Sequence, residues 1–199
     1  MNQINQSLLG DRFEQALVYA TRLHSNQVRK GSGVPYISHL LGVTALVLED
    51  GGTEEEAIAA LLHDAIEDQG GDKIRQEIKA KFGDKVAEIV EGCTESDTEP
   101  KPAWMDRKLA TIKKLREVSP EVRRVILADK LHNARSILGD WYRIGDAIWE
   151  RFKTGKTGTL WYFRSIVEVD RDNGSSYLGS ELSRVIAELE NTGKAGNNL

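Results

Sequence analysis

Residues 61–68 read Leu-Leu-His-Asp-Ala-Ile-Glu-Asp, so His63, Asp64, Glu67 and Asp68 sit inside a stretch otherwise made of core residues. On a helix, residues four apart share a face, which pairs His63 with Glu67 and Asp64 with Asp68 in one polar cluster. A helix spanning 53–68 would place that cluster at its C-terminal end, where the partial charge is negative and three carboxylates are poorly placed. A divalent cation would compensate. His63 and Asp64 supply two ligands. His39, in YISHLLGV, and Asp129, in VRRVILADKLHN, each interrupt an apolar pattern and could supply two more. Two imidazoles and two carboxylates suit Mn²⁺, Fe²⁺, Co²⁺ or Zn²⁺ better than Ca²⁺, with positions left over for water and substrate. A lone histidine in an apolar pattern is more often an ordinary core residue with a hydrogen-bond partner, and His24 and His132 are read that way. The metal reading rests on the joint pattern H…HD…D followed by Glu-Asp.

The elements that must position these groups are helical. Phe13, Leu17, Ala20 and His24 follow an amphipathic spacing over 11–25. NQVRKGSGVPY is a Gly/Pro-broken loop. A helix over about 37–50 follows, stopped by Gly51-Gly52. Thr53 with Glu56 three residues later forms a capping box that opens the helix 53–68. Further helices are expected near 72–81, 83–94, 103–117 and 120–138, with SDTEPKP (96–102) as a loop. Beyond Gly139 the pattern weakens, with helices at 140–153, 157–171 and 176–190. Valine and isoleucine show no period-two runs and no repeat of 20–50 residues is present. The expectation is an all-α fold, a compact multi-helix single domain over 1–199. Its motif-bearing core is about 10–140, with a helical extension at about 141–191 and a mobile tail at 192–199.

The 199 residues are enough for one domain with a real core, and 40% of them are hydrophobic. A net charge of −4 argues against a broad nucleic-acid surface. Cys93 is the only cysteine, so no disulfide forms within the chain. The polar start MNQINQ has no signal-peptide pattern, and no run approaches the roughly 18 apolar residues of a membrane span. The expected setting is cytoplasmic, without a membrane, DNA or RNA partner; oligomeric state is not fixed by these features.

Four pieces carry a resemblance: RKGSGVPYISHLLGV (29–43), AALLHDAIED (59–68), KFGDKVAEIVEGCT (81–94) and ILADKLHNARSIL (126–138). In order and spacing they resemble the HD-domain hydrolases that remove pyrophosphate from the alarmone (p)ppGpp. These include the hydrolase half of the Rel/SpoT enzymes and the small alarmone hydrolases of Mesh type. The resemblance implies an HD-domain fold and metal-dependent hydrolysis of the 3′-diphosphate to GDP or GTP and pyrophosphate. His39, His63, Asp64 and Asp129 would be ligands to Mn²⁺. Glu67 and Asp68 would position or deprotonate the attacking water. Arg29 and Lys30 would lie beside the nucleotide, and Thr94 and Asn133 would belong to the nucleoside site. With no room for a synthetase, a stand-alone hydrolase is expected. Gln69-Gly70 follows the acidic pair where the family often has Thr, which bears on the helix exit. Glu95 stands where bifunctional members often have Lys, in a loop that contributes to the nucleoside pocket in the family. An adenine alarmone, (p)ppApp, is therefore an alternative substrate. Another HD-type nucleotide phosphohydrolase is a second alternative, and a catalytically idle nucleotide-binding regulatory protein a third. In KTGKTGTLWYFRS (153–165), the cations and aromatics could close over the site, but packing of the last helices is the expected role.

Overall fold

The computed structural model describes residues 9–96, 100 and 102–192, among which there are ten α-helices and one 3-10 stretch. They are α1 (Asp11–Leu23), α2 (Ile37–Glu49), α3 (Glu54–Leu62), α4 (Ala65–Gln69), α5 (Gly71–Phe82), α6 (Asp84–Cys93), α7 (Trp104–Leu115), α8 (Pro120–Ile144), the 3-10 stretch Gly145–Arg151, α9 (Gly155–Asp172) and α10 (Tyr177–Asn191). The all-α expectation holds. Among the described residues, no helix is long and apolar enough to cross a membrane. Of the expected mobile tail, Thr192 is buried and hydrogen-bonded to Lys156, while residues 193–199 lie outside the described residues, as does part of the loop 96–102.

The starts of several helices follow from local chemistry. Thr53 accepts from the Glu56 backbone while the Glu56 carboxylate accepts from the Thr53 N–H, the reciprocal capping box expected at α3. Ser119 caps α8, with Pro120 in the first helical position, where its missing N–H costs nothing. Ser176 caps α10. α5 and α6 meet at Gly83, whose φ of 87° is one that residues with a Cβ rarely adopt.

α3 is the hub. Every residue from Ala57 to Leu62 is fully buried, and α1, α2, α6 and α8 surround it. A helix apolar on all sides belongs in the interior. α8 packs on α2 and α6 on one side and on α10 on the other, and α10 also packs on α9.

Two boundaries differ from the sequence reading. The helix expected over 53–68 breaks at His63-Asp64, because these residues adopt (φ, ψ) of (−59°, −30°) and (−97°, −1°). Those are the central angles of a type I turn, which redirects the chain between α3 and α4. Glu67 and Asp68 consequently lie in the first turn of α4 rather than at the C-terminal end of a long helix. The second difference lies at Gly139, where α8 continues to Ile144. Glycine weakens an isolated helix by about 1 kcal/mol relative to alanine. Here α10 holds the helix on both sides of it, through Arg135–Glu181 and Tyr142–Glu188.

Candidate functional site

α2, the α3–α4 turn and α8 bring their polar residues to one point. His39 Nε2 lies 3.2 Å from Asp129 Oδ1 and 3.7 Å from Asp64 Oδ2. His63 Nε2 lies 3.0 Å from Asp64 Oδ2 and 3.8 Å from Asp129 Oδ1. One donor atom from each of His39, His63 and Asp129 falls within 4.8 Å of the others, and all three residues are buried. Asp64 borders the same point but is partly exposed, with its Oδ2 accepting from the Tyr36 hydroxyl at 2.5 Å.

The donor set fits a cation. His63 Nδ1 sits 2.8 Å from the Ala60 carbonyl, so Nδ1 keeps its proton and Nε2 is the atom that offers a lone pair when the ring is neutral. That Nε2 is buried, and although near Asp64 it is out of line for a hydrogen bond. Buried polar atoms rarely go without a partner, and an ion held by the neighbouring donors would supply one.

Around this point is an open cleft of about 280 Å³. Its lining includes Glu67 and Asp68 on one side, and Arg29, Arg107, Lys108, Lys130 and Asn133 on others. Asp68 accepts from the Gln27 amide at 2.7 Å, and Glu67 from the Glu95 N–H at 3.3 Å. Arg29 rides on a loop closed by a bridge between Val28 and Pro35, and it donates to Asn133 Oδ1 at 2.7 Å. Asn133 in turn donates to Asp129 Oδ1 at 2.5 Å, so one amide ties the loop to a buried acid. Lys30, on the same loop, is exposed and outside the lining. Thr94 is also outside it, and its hydroxyl donates to the Val90 carbonyl at the end of α6.

Charge in the cleft is strongly coupled. Burial alone would raise the carboxylic acids, but Lys130 and the histidines hold Asp129 well below its usual range, and His63 and His39 do the same for Asp64. Burial pushes His39 down. Burial also opposes a charged His63, yet Asp64 and Asp129 prevail and raise it to about 9. Burial, with His39 and Arg29, pushes His132 down to about 4. Lys130 is mostly covered at the cleft wall, and Asp129, 2.6 Å from its ammonium, keeps it charged against burial.

Several cleft residues were not singled out by sequence. Tyr36 looks like the end of a loop, and Lys130 is one of many lysines, although its place beside Asp129 was a signal. Glu95, noted in the sequence only as a departure from the family, anchors Arg107 at 2.5 Å, Lys108 at 2.7 Å and Thr111 at 3.1 Å. The C-terminal segment mostly packs: Tyr162 and Phe163 are buried, Lys156 bonds Thr192 and Arg164 bonds Glu190. Tyr162 nonetheless reaches the cleft wall, its ring 4.5 Å from Lys108 Nζ and 5.7 Å from Lys130 Nζ. His24 is not part of the cleft lining; it pairs with Gln27 and stacks on the Tyr36 ring.

Residues 16–158 match the model of the family described as "HD domain". The guanosine-3′,5′-bis(diphosphate) 3′-pyrophosphohydrolase MESH1 of Homo sapiens is 36% identical over 126 residues, which are 62% of this chain and 68% of that one. A GTP pyrophosphokinase rsh from Brucella ovis is 41% identical over 141 residues, 67% of this chain but 17% of that longer one. A solved structure described as a metazoan ortholog of SpoT that hydrolyses ppGpp superposes with a TM-score of 0.76. It is 22% identical and covers 92% of this chain and 98% of its own. That likeness is one of fold.

Proposed function

The chain belongs to the HD domain family, and we propose that it is a metal-dependent hydrolase that removes pyrophosphate from the 3′-diphosphate of (p)ppGpp, leaving GDP or GTP. One observation carries this reading. A nitrogen-and-oxygen donor set, a carboxylate pair and a wall of cations meet in a single cleft, in a chain whose relatives include one named for that reaction.

We assign His39, His63, Asp64 and Asp129 to hold the cation, with Mn²⁺ as the ion suited to this mixed donor set. When bound, such an ion supplies Lewis acidity toward water and phosphoryl oxygen. The chain's own groups do the rest. Glu67 and Asp68, on α4 at the cleft edge, accept or steer the proton of the attacking water. Gln27 orients Asp68, and the Glu95 backbone orients Glu67. Arg29, Arg107, Lys108 and Lys130 offset phosphate charge, the arginines through planar forks that match phosphate oxygens. Asn133 couples the loop bearing Arg29 to Asp129. In this proposal Lys30 adds charge on the same loop, and Thr94 acts through the segment that follows α6.

The test is pyrophosphate release from ppGpp and from ppApp, side by side, with Mn²⁺ and with EDTA. The expected result is Mn²⁺-dependent release from ppGpp that EDTA abolishes. Faster release from ppApp would keep the reaction and change the purine. Release from neither, with Mn²⁺ demonstrably bound, would overturn the assignment and favour an idle nucleotide binder.

A further inference from the structure

We propose that His132 is a positioning residue for the cation site. It fixes the ring of His39 and the nitrogen that carries the His39 proton, and Gly42 provides the niche it needs. The inference rests on the cation assignment above.

The two Nδ1 atoms of His39 and His132 are 2.9 Å apart, with ring centroids 4.8 Å apart. Two imidazole nitrogens at that distance share one proton, so one donates and the other accepts. His39 turns its Nε2 toward Asp129 and Asp64. To bind a cation there, Nε2 must offer its lone pair, so the His39 proton belongs on Nδ1 and His132 must receive it. His63 solves the same problem with a backbone carbonyl, that of Ala60. At His39 the acceptor is a side chain, and it can therefore be removed without touching the backbone.

Its placement follows from helical spacing. His132 lies three residues after Asp129 on α8, so one face of that helix offers both a ligand and the ring that orients another ligand. Gly42 lies three residues after His39 on α2, on the face that meets α8. A Cβ built on Gly42 would fall 2.2 Å from both Cδ2 and Nε2 of His132. No side chain fits there unless the ring leaves. Glycine inside a helix is destabilising relative to alanine by roughly 0.5–1 kcal/mol, and admission of the ring gives it a purpose at this position.

The experiment is Mn²⁺ titration of the full chain by calorimetry, with circular dichroism to confirm the fold. Loss of such an orienting partner typically weakens metal binding by about 10–100-fold, and that loss is expected for both His132→Leu and Gly42→Ala. His132→Asn keeps an acceptor oxygen near the position of Nδ1 and is expected to restore most of the affinity. In the wild-type chain loaded with diamagnetic Zn²⁺, ¹⁵N NMR is expected to find the His39 proton on Nδ1. Folded Leu and Ala variants that bind Mn²⁺ like the wild type would overturn the proposal, as would a protonated Nε2 on His39. If His132→Leu does not fold, Gly42→Ala and the NMR measurement decide between the same two results. A wild-type chain that binds no Mn²⁺ would instead sink the cation assignment, and the inference with it.

Discussion

On the proposed assignment, a proton and a cation compete for the same atom of His63. Nδ1 is committed to the Ala60 carbonyl, so Nε2 is the atom that titrates. In the metal-free protein burial disfavours the charged ring, but Asp64 and Asp129 outweigh it and lift the pKa to about 9. Below that pH the cation must displace a proton, since a ligating imidazole is neutral. Apparent Mn²⁺ affinity should therefore climb roughly tenfold per pH unit on the acid side of this pKa and level off above it. Calorimetry at pH 7 in buffers of different ionisation enthalpy should register about one proton released per ion bound; no release would remove His63 from the ligand set. Glu67 faces a different test. Glu67→Gln keeps the shape and loses the base, so Mn²⁺ should still bind while turnover falls by about 10²–10⁴. A rate within about threefold of wild type, well short of that range, would show that the carboxylate handles no proton.

The helices decide whether those residues meet. Arg124 of α8 clamps the start of α3, through Glu56, and the end of α2, through Asp50. The Glu56 side chain is 2% exposed and also forms half of the capping box. Removing its partner strands a buried charge. Arg124→Ala should cost about 3 kcal/mol in denaturant unfolding, at the lower end of the range for broken buried pairs because Arg124 is itself partly exposed. A loss below about 1 kcal/mol would make it an ordinary surface pair. Much of this layer was readable beforehand. The capping box, the ends of α2, α5 and α6, and the convergence of His39, His63, Asp64 and Asp129 follow from spacing and motif. The break at His63-Asp64 was not readable, because nothing in Leu-Leu-His-Asp-Ala-Ile is a helix breaker. α3 packs on α1, α2, α6 and α8 while α4 packs on α1 and α5, and these separate seats, rather than propensity, set that turn. The roles of Tyr36, Glu95 and Lys130 were hidden for a related reason. Each is an ordinary polar residue locally, and only the meeting of distant helices gives it a partner.

Across the whole molecule, an ion bound to the folded state and not to the unfolded one adds stability by mass action. With Mn²⁺ at about a hundred times its Kd the gain is about 2.7 kcal/mol, which for a chain of this size corresponds to roughly 5–10 °C in Tm. Adding EDTA should reverse that shift in the wild type and do nothing in His63→Ala. The site also has a long span in sequence, since His39 and His132 stand 93 positions apart. α2 and α3 are sequence neighbours and can find each other early, but α8 must cross a large loop before Asp129 arrives, and closing such a loop is entropically unfavourable. Until then only an incomplete donor set exists. On the proposed assignment the ion would be a late lock rather than a template. It should lengthen the lifetime of the folded chain while leaving the rate of refolding almost unchanged.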